Sequence, residues 1–283
     1  IYSAANPVNG CRDTISQSIK VVALPKLTFP NEVKDEYCYA PNEITITGLN
    51  NNETVTSGTY TGQGLIDNNP NDGIAIFNPF NTGGPATYPI NFAYTDANGC
   101  KNTYTKNIKV NALPVVSFNN LEDGYCADPQ NTTTITGSPQ NGYFIVNSNT
   151  YSRQFSFKPS EYTNQDSLLF KYYYTDVNNC VDTVSKKVAI YPMPVAHFYV
   201  EDECITDAID FLYDGGTAIG DGLTYVWDLG DAGATSDKRN PSYLYETAGK
   251  KKIKLTITSK FNCVAEYDTT LDFNLGPKAL FSW

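Results

Sequence analysis

One spacing recurs four times along the chain and constrains it more than any local pattern. Cys11, Cys100, Cys180 and Cys263 each close a short turn-forming segment: Pro7-Val8-Asn9-Gly10, Asp96-Ala97-Asn98-Gly99, Asp176-Val177-Asn178-Asn179 and Ser259-Lys260-Phe261-Asn262. Fourteen residues after each lies a proline (Pro25, Pro114, Pro194, Pro277), and four residues later a phenylalanine (Phe29, Phe118, Phe198, Phe281). A ruler kept this strictly is an internal repeat, and repeats set the architecture before local patterns refine it. The remaining cysteines, Cys38, Cys126 and Cys204, follow that phenylalanine by 9, 8 and 6 residues. The expected units are 26–113, 114–193 and 194–276. Residues 1–25 read as the tail of a truncated unit and 277–283 as the start of the next. Proline at each junction stiffens the connection, which favours stacking over loose beads.

Within each unit the pattern is that of strands. Ile90, Phe92 and Tyr94 alternate with polar neighbours, as do Leu168, Phe170, Tyr172 and Tyr174, and Ile253, Leu255 and Ile257. Alternation of period two marks half-buried strands, and no stretch sustains a helical period. Asp96-Ala97-Asn98-Gly99 between two such runs signals a hairpin. The predicted fold class is all-β, in tandem immunoglobulin-like sandwiches.

The cysteine count suggests a pairing. Two cysteines per complete unit give Cys38–Cys100, Cys126–Cys180 and Cys204–Cys263, with Cys11 left unpaired by truncation. Such bonds imply an oxidising, extracytoplasmic compartment. Each would add about 4 kcal/mol in the chain-entropy account. The alternative is buried free thiols in a cytosolic protein.

Composition removes several function classes. With 30 acidic and 20 basic side chains, the net charge is −10. That field suits neither nucleic acid nor an anionic membrane. The single histidine rules out a multi-histidine zinc site within this chain. No apolar run is long enough to insert in a membrane.

The third unit resembles the polycystic kidney disease (PKD) domain, an immunoglobulin-like family. Trp227-Asp228-Leu229-Gly230-Asp231, Asn240-Pro241-Ser242-Tyr243-Leu244-Tyr245 and Gly249 with Ile253, Leu255 and Ile257 carry the resemblance. Tyr243 and Lys251 depart from the usual His and Tyr. The two earlier units, with Gly58-Thr59-Tyr60-Thr61-Gly62-Gln63-Gly64, Phe77-Asn78-Pro79, Phe157-Lys158-Pro159 and their Tyr-Thr-Asp turns, look like repeats of large Bacteroidota surface proteins. Mixed with PKD domains, such arrays are similar to SprB-type gliding-motility adhesins exported by type 9 secretion. The resemblance implies cell-surface display and adhesion.

Candidate chemistry is sparse. His197 lies opposite in phase to Phe198 in an alternating run and has no nucleophile elbow to serve, so it reads as a solvent-facing strand residue. Paired carboxylates are the enzyme chemistry left to a chain poor in histidine, but the acids sit at turns. Asp96, Asn98, Asp176, Asn178, Asp228 and Asp231 are weak calcium ligands by residue type, and Asp and Asn also favour turns for backbone reasons. Asp221 and Asp237 flank turns of the third unit in the same way. Tyr173 could present a ring to a sugar or pair across strands, while Trp227 reads as core. Thr14, Ser167, Thr183 and Thr269 follow an aspartate, as in the Asp-(Ser/Thr)-apolar O-glycosylation motif of Bacteroidota. Asn52 and Asn131 open N-glycosylation sequons.

The expected function is a non-catalytic stalk segment of a secreted surface adhesin. Its expected partners are adjacent repeats and surface polysaccharide, and its one conceivable cofactor is calcium. The alternative is a carbohydrate-binding or accessory region of a secreted hydrolase.

Overall fold

A computed structural model describes residues 1–216 and 222–276. Pro277, Phe281, the start of a next unit at 277–283 and Asp221 lie outside the described residues. The chain is a set of immunoglobulin-like β-sandwiches in tandem, and the period-two runs become their strands. Each repeat ends in a long antiparallel hairpin: Thr87–Thr95 with Lys101–Asn111, Ser167–Thr175 with Val181–Tyr191, and Gly249–Thr258 with Val264–Phe273.

The hairpin tips explain the repeated sequence before each cysteine. Asp96 N–H donates to Cys100 O at 3.0 Å, Asp176 N–H to Cys180 O at 2.9 Å and Ser259 N–H to Cys263 O at 2.9 Å. The residue just before each cysteine has a left-handed backbone: φ is 82° at Gly99, 60° at Asn179 and 62° at Asn262. Glycine and asparagine tolerate that conformation best, hence the Gly or Asn that precedes each cysteine of the ruler.

The last hairpin forms the middle of one sheet in the first two sandwiches and one side of the sheet in the third. In the first repeat the order is Glu36–Cys38, Lys101–Asn111, Thr87–Thr95, Thr59–Thr61. In the second it is Gly124–Cys126, Val181–Tyr191, Ser167–Thr175, Tyr143–Val146, Asn149–Ser152. In the third, Thr235–Ser236, Thr224–Asp228, Gly249–Thr258 and Val264–Phe273 follow one another. Short three-stranded sheets complete the sandwiches, such as Ile44–Thr47, Ile74–Phe77 and Leu65–Ile66 in the first.

Three separate cores result. The first centres on Ile46, Phe77, Ile90, Phe92 and Ile108, and the second on Ile135, Phe144, Phe157, Phe170 and Tyr172. The third centres on Phe211, Trp227, Ile253, Leu255 and Ile257. Trp227 is fully buried and donates its indole N–H to Lys238 O at 2.8 Å, which settles its one polar group. Gly48 and Gly137 lie flat beneath aromatic rings: a Cβ there would stand 2.2 Å from Phe92 and 2.1 Å from Tyr172. The repeated Phe77-Asn78-Pro79 and Phe157-Lys158-Pro159 place a buried phenylalanine before a one-turn 3-10 helix begun by proline.

The chain divides into two compact units, one of residues 1–114 with 175–182, the other of 115–174 with 183–283. The hairpin tip of the second repeat therefore belongs to the same compact unit as the first repeat. Among the described residues, no helix is long and apolar enough to cross a membrane.

Candidate functional site: the cysteine links

Six of the seven cysteines, all but Cys11, fall into two structural classes. Cys100, Cys180 and Cys263 end the hairpin turns. Cys38, Cys126 and Cys204 lie on a short segment running parallel to the end of the last strand. Cys38 is opposite Asn111, Cys126 opposite Tyr191 and Cys204 opposite Asn274. The next residue is anchored alike in all three: Tyr39 N–H donates to Asn111 O at 2.8 Å, Ala127 to Tyr191 O at 2.8 Å and Ile205 to Asn274 O at 2.9 Å.

This placement overturns the expected pairing. The two cysteines of one repeat stand at opposite ends of the last strand. In the first repeat that strand is the 11-residue Lys101–Asn111. At about 3.3 Å per residue it holds them roughly 30 Å apart. A disulfide needs Cα atoms within about 7 Å. The expected Cys38–Cys100, Cys126–Cys180 and Cys204–Cys263 bonds do not form. Cys38 instead joins Cys180, with Cα atoms 5.5 Å apart, and Cys126 joins Cys263, at 5.6 Å. Each bond runs from the first cysteine of one repeat to the turn cysteine of the repeat that follows. Cys100 and Cys204 are free thiols, as is the exposed Cys11. The length of the alternating run after Cys100 was the available signal for this geometry. Counting cysteines per repeat ignores it.

Around both bonds the surroundings recur. Lys34–Cys38 and Asn42 line one groove with Val177, Asn178 and Asn179 from the turn before Cys180. Glu122, Gly124–Cys126 and Asn131–Thr133 line another with Phe261 from the turn before Cys263. Phe261 also stacks on Tyr191, ring centroids 4.2 Å apart and planes at 9°. Lysines of the last strand hold the acids before the first cysteine: Lys106–Asp35 at 2.7 Å and Lys186–Asp123 at 2.8 Å.

The weak calcium ligands sit in turns and already hold hydrogen-bond partners. Asp96 Oδ1 accepts from Asn98 N–H and Cys100 N–H, both at 2.9 Å. Asp176 Oδ1 does the same with Asn178 and Cys180, both at 2.8 Å. The Asn98 and Asn178 side-chain amides lie against the second carboxylate oxygens. Asp228 Oδ1 accepts from Gly230 N–H at 2.9 Å. Asp231 accepts from Lys251 Nζ at 2.8 Å and Tyr243 Oη at 3.1 Å. The Lys251 hydrogen bond, followed by that of Tyr243, pulls the Asp231 carboxyl below its ordinary range. A carboxylate paired with an ammonium is a poor cation ligand. Among the described residues no three histidine, cysteine or acidic side chains gather as a metal site would.

The other candidates are scattered. His197 is exposed, opposite in phase to buried Phe198, and its Nδ1 meets Asp214 Oδ1 at 2.5 Å. Tyr173 lies directly across from Tyr143, with centroids 5.4 Å apart and planes at 9°. Each ring thus covers a face of the other. Thr14 and Thr183 are exposed. Thr269 is half-buried because it lies opposite the buried Ile253, and Ser167 is also half-buried. Thr183 follows its turn cysteine by three residues and Thr269 by six. In a strand, an odd difference means opposite faces.

Residues 191–273 match the PKD domain family. The match spans the Trp227 core and both strands of the last hairpin. Among solved structures the chain is similar to the PKD1 domain of Vibrio anguillarum Epp, with 26% identity over 30% of this chain and 96% of that one, at a TM-score of 0.25. It is also similar to a Ca2+-stabilized adhesin with which an Antarctic bacterium binds ice, at 10% identity, 90% and 74% coverage and a TM-score of 0.35. A third is the ICAM-5 D1–D4 ectodomain fragment, at 8% identity, 88% and 76% coverage and a TM-score of 0.42. No curated protein matches the chain in sequence.

Proposed function

We propose that residues 26–276 are a load-bearing, non-catalytic repeat segment of an extracellular surface adhesin, working in gliding motility. The observation that carries this reading is the route of the disulfides. A bond inside a domain stabilises that domain alone. A bond from each repeat to the next ties successive domains into one covalent chain beside the backbone. Tension then has a second path at every junction so linked. Such bonds persist outside the cytoplasm, in keeping with display at the cell surface.

The motility role and export by type 9 secretion rest on the resemblance of the repeats to gliding adhesins. Substratum polysaccharide is the ligand class pursued first, with binding carried by parts of the adhesin that this segment holds away from the cell. The test is live-cell labelling with an antibody against residues 26–276. Foci travelling along intact cells are the expected result. Stationary surface label would remove propulsion from the account, and antigen confined to the culture fluid would overturn surface display.

A further inference from the structure

Cys100 and Cys204 are free, yet each has the backbone setting of cysteines that are bonded. At the turn, Cys100 N–H donates to Asp96 Oδ1 at 2.9 Å, as Cys180 N–H does to Asp176 at 2.8 Å. Cys263 N–H makes the same contact with Ser259 Oγ at 3.2 Å. All three turns close through the carbonyl of the cysteine itself. At the other end of the repeat, Cys204 lies parallel to Asn274 as Cys38 does to Asn111 and Cys126 to Tyr191. Acids precede each of these cysteines: Asp35 and Glu36, Glu122 and Asp123, Asp202 and Glu203.

Among the turn cysteines, burial separates the bonded from the free. Cys180 is fully buried and Cys263 is 1% exposed, each seated against its partner segment. Cys100, in the same turn, is only half-buried. The turn of the first repeat is thus formed in the shape that elsewhere docks, with its cysteine partly exposed.

We infer that Cys100 and Cys204 are the two complementary halves of the same inter-repeat link, each built to bond a further immunoglobulin-like unit of this kind. Cys100 takes the strand-end cysteine of a unit placed before the first repeat. Cys204 takes the turn cysteine of a unit placed after the third. Two different surfaces are involved, so the link has a direction, and a repeat cannot join another by like cysteines. The proposal concerns array assembly and stands apart from any adhesive or motile role.

The chemistry balances through thiol–disulfide exchange. One thiolate attacks a sulfur of a disulfide donor, either oxidised glutathione or an oxidised protein dithiol, and forms a mixed disulfide. That first attack releases one donor sulfur as a thiolate. The second cysteine's thiolate then attacks the first cysteine's sulfur in the mixed disulfide and expels the other donor sulfur, so the donor ends as two glutathione thiols or as a reduced protein dithiol. Two electrons and the two thiol protons pass to the donor. The Asp202 carboxylate, by hydrogen bond and charge, pushes the Cys204 thiol above its ordinary range. Its thiolate is correspondingly scarce, so whichever step uses Cys204 as the nucleophile draws on a small thiolate fraction.

The test is a disulfide map of the protein taken from its native cells, with thiols alkylated at lysis and digestion done without reductant. The Cys100 peptide is expected joined to a strand-end cysteine peptide other than those of Cys38 and Cys126. The Cys204 peptide is expected joined to a turn cysteine peptide other than those of Cys180 and Cys263. Each joined pair should be lighter than its two reduced peptides by two hydrogens and should vanish on reduction. A Cys100–Cys204 pair in a non-reduced species of twice the chain mass would also bear out the complementarity and identify a second copy of this chain as the source, whereas the same pair within a single chain would overturn the inference. Alkylated Cys100 and Cys204, a bond between like cysteines, or a Cys38–Cys100 or Cys204–Cys263 bond would each overturn the inference.

Discussion

At the residue scale, the turn before each ruler cysteine sets the local structure. In the three complete repeats the residue at its start, Asp96, Asp176 or Ser259, accepts from two backbone N–H groups, and the glycine or asparagine at its end supplies the left-handed step. At Asp96, the Cys100 N–H hydrogen bond is the main cause of a carboxyl pKa below the ordinary range, and the Asn98 N–H adds to it. A group whose pKa is depressed by folding adds stability above its unfolded pKa and loses it as pH falls through the folded one. The stabilisation by Asp96 and Asp231 is therefore present at neutral pH and lost in acid. Carboxyl NMR should show both midpoints below the ordinary carboxylate value, and Lys251→Met should move Asp231 back up while leaving Asp96 in place. Asp202→Asn removes the charge that holds the Cys204 thiol up, so alkylation of Cys204 near pH 8 should speed up. Unchanged rates would show that Asp202 does not govern this thiol. The turn residues, Trp227 and the alternating strands were legible in the sequence, because each is fixed by its own neighbours. The role of Asp231 was not, because Lys251 and Tyr243 reach it only after the sheet has formed.

At the element scale, the length of the last strand decides the cysteine chemistry. It separates the two cysteines of one repeat and carries the strand-end cysteine to the level where the next repeat's turn lies against it. Cys180→Ser should therefore release Cys38 as the new thiol, where bonding inside the repeat would release Cys126. Labelling followed by peptide mapping distinguishes them. Loss of the bond should cost about 2–5 kcal/mol, because it frees a loop of 142 residues in the unfolded chain. Gly137→Ala tests the packing of the second sandwich: its Cβ would enter the Tyr172 ring, at a cost of about 1–3 kcal/mol by urea melting. The period of two also orders the threonines. If the surface motif is glycosylated in the native host, sugar mass should fall on the exposed Thr14 and Thr183 in preference to the half-buried Thr269. Equal occupancy would show that strand face does not govern it. The sequence carried the two faces and the strand length, whereas pairing depends on where a strand end meets a turn two repeats' worth of chain away.

At the scale of the whole molecule, the two disulfides close interleaved loops of 142 and 137 residues, since Cys126 lies inside the first and Cys180 inside the second. With both bonds intact, unfolding of any repeat leaves much of its chain unable to extend. The all-β tandem architecture was readable from the repeat ruler and the alternation. The covalent coupling between repeats was not, because a cysteine count is blind to the distance between cysteines. The central claim is that these bonds carry load from repeat to repeat. Single-molecule pulling on residues 26–276, with and without reductant, tests it most directly. The account predicts that reduction lengthens the total unfolding extension by several hundred Å, at about 3.5 Å for each residue freed. Equal extension in the two conditions would contradict it.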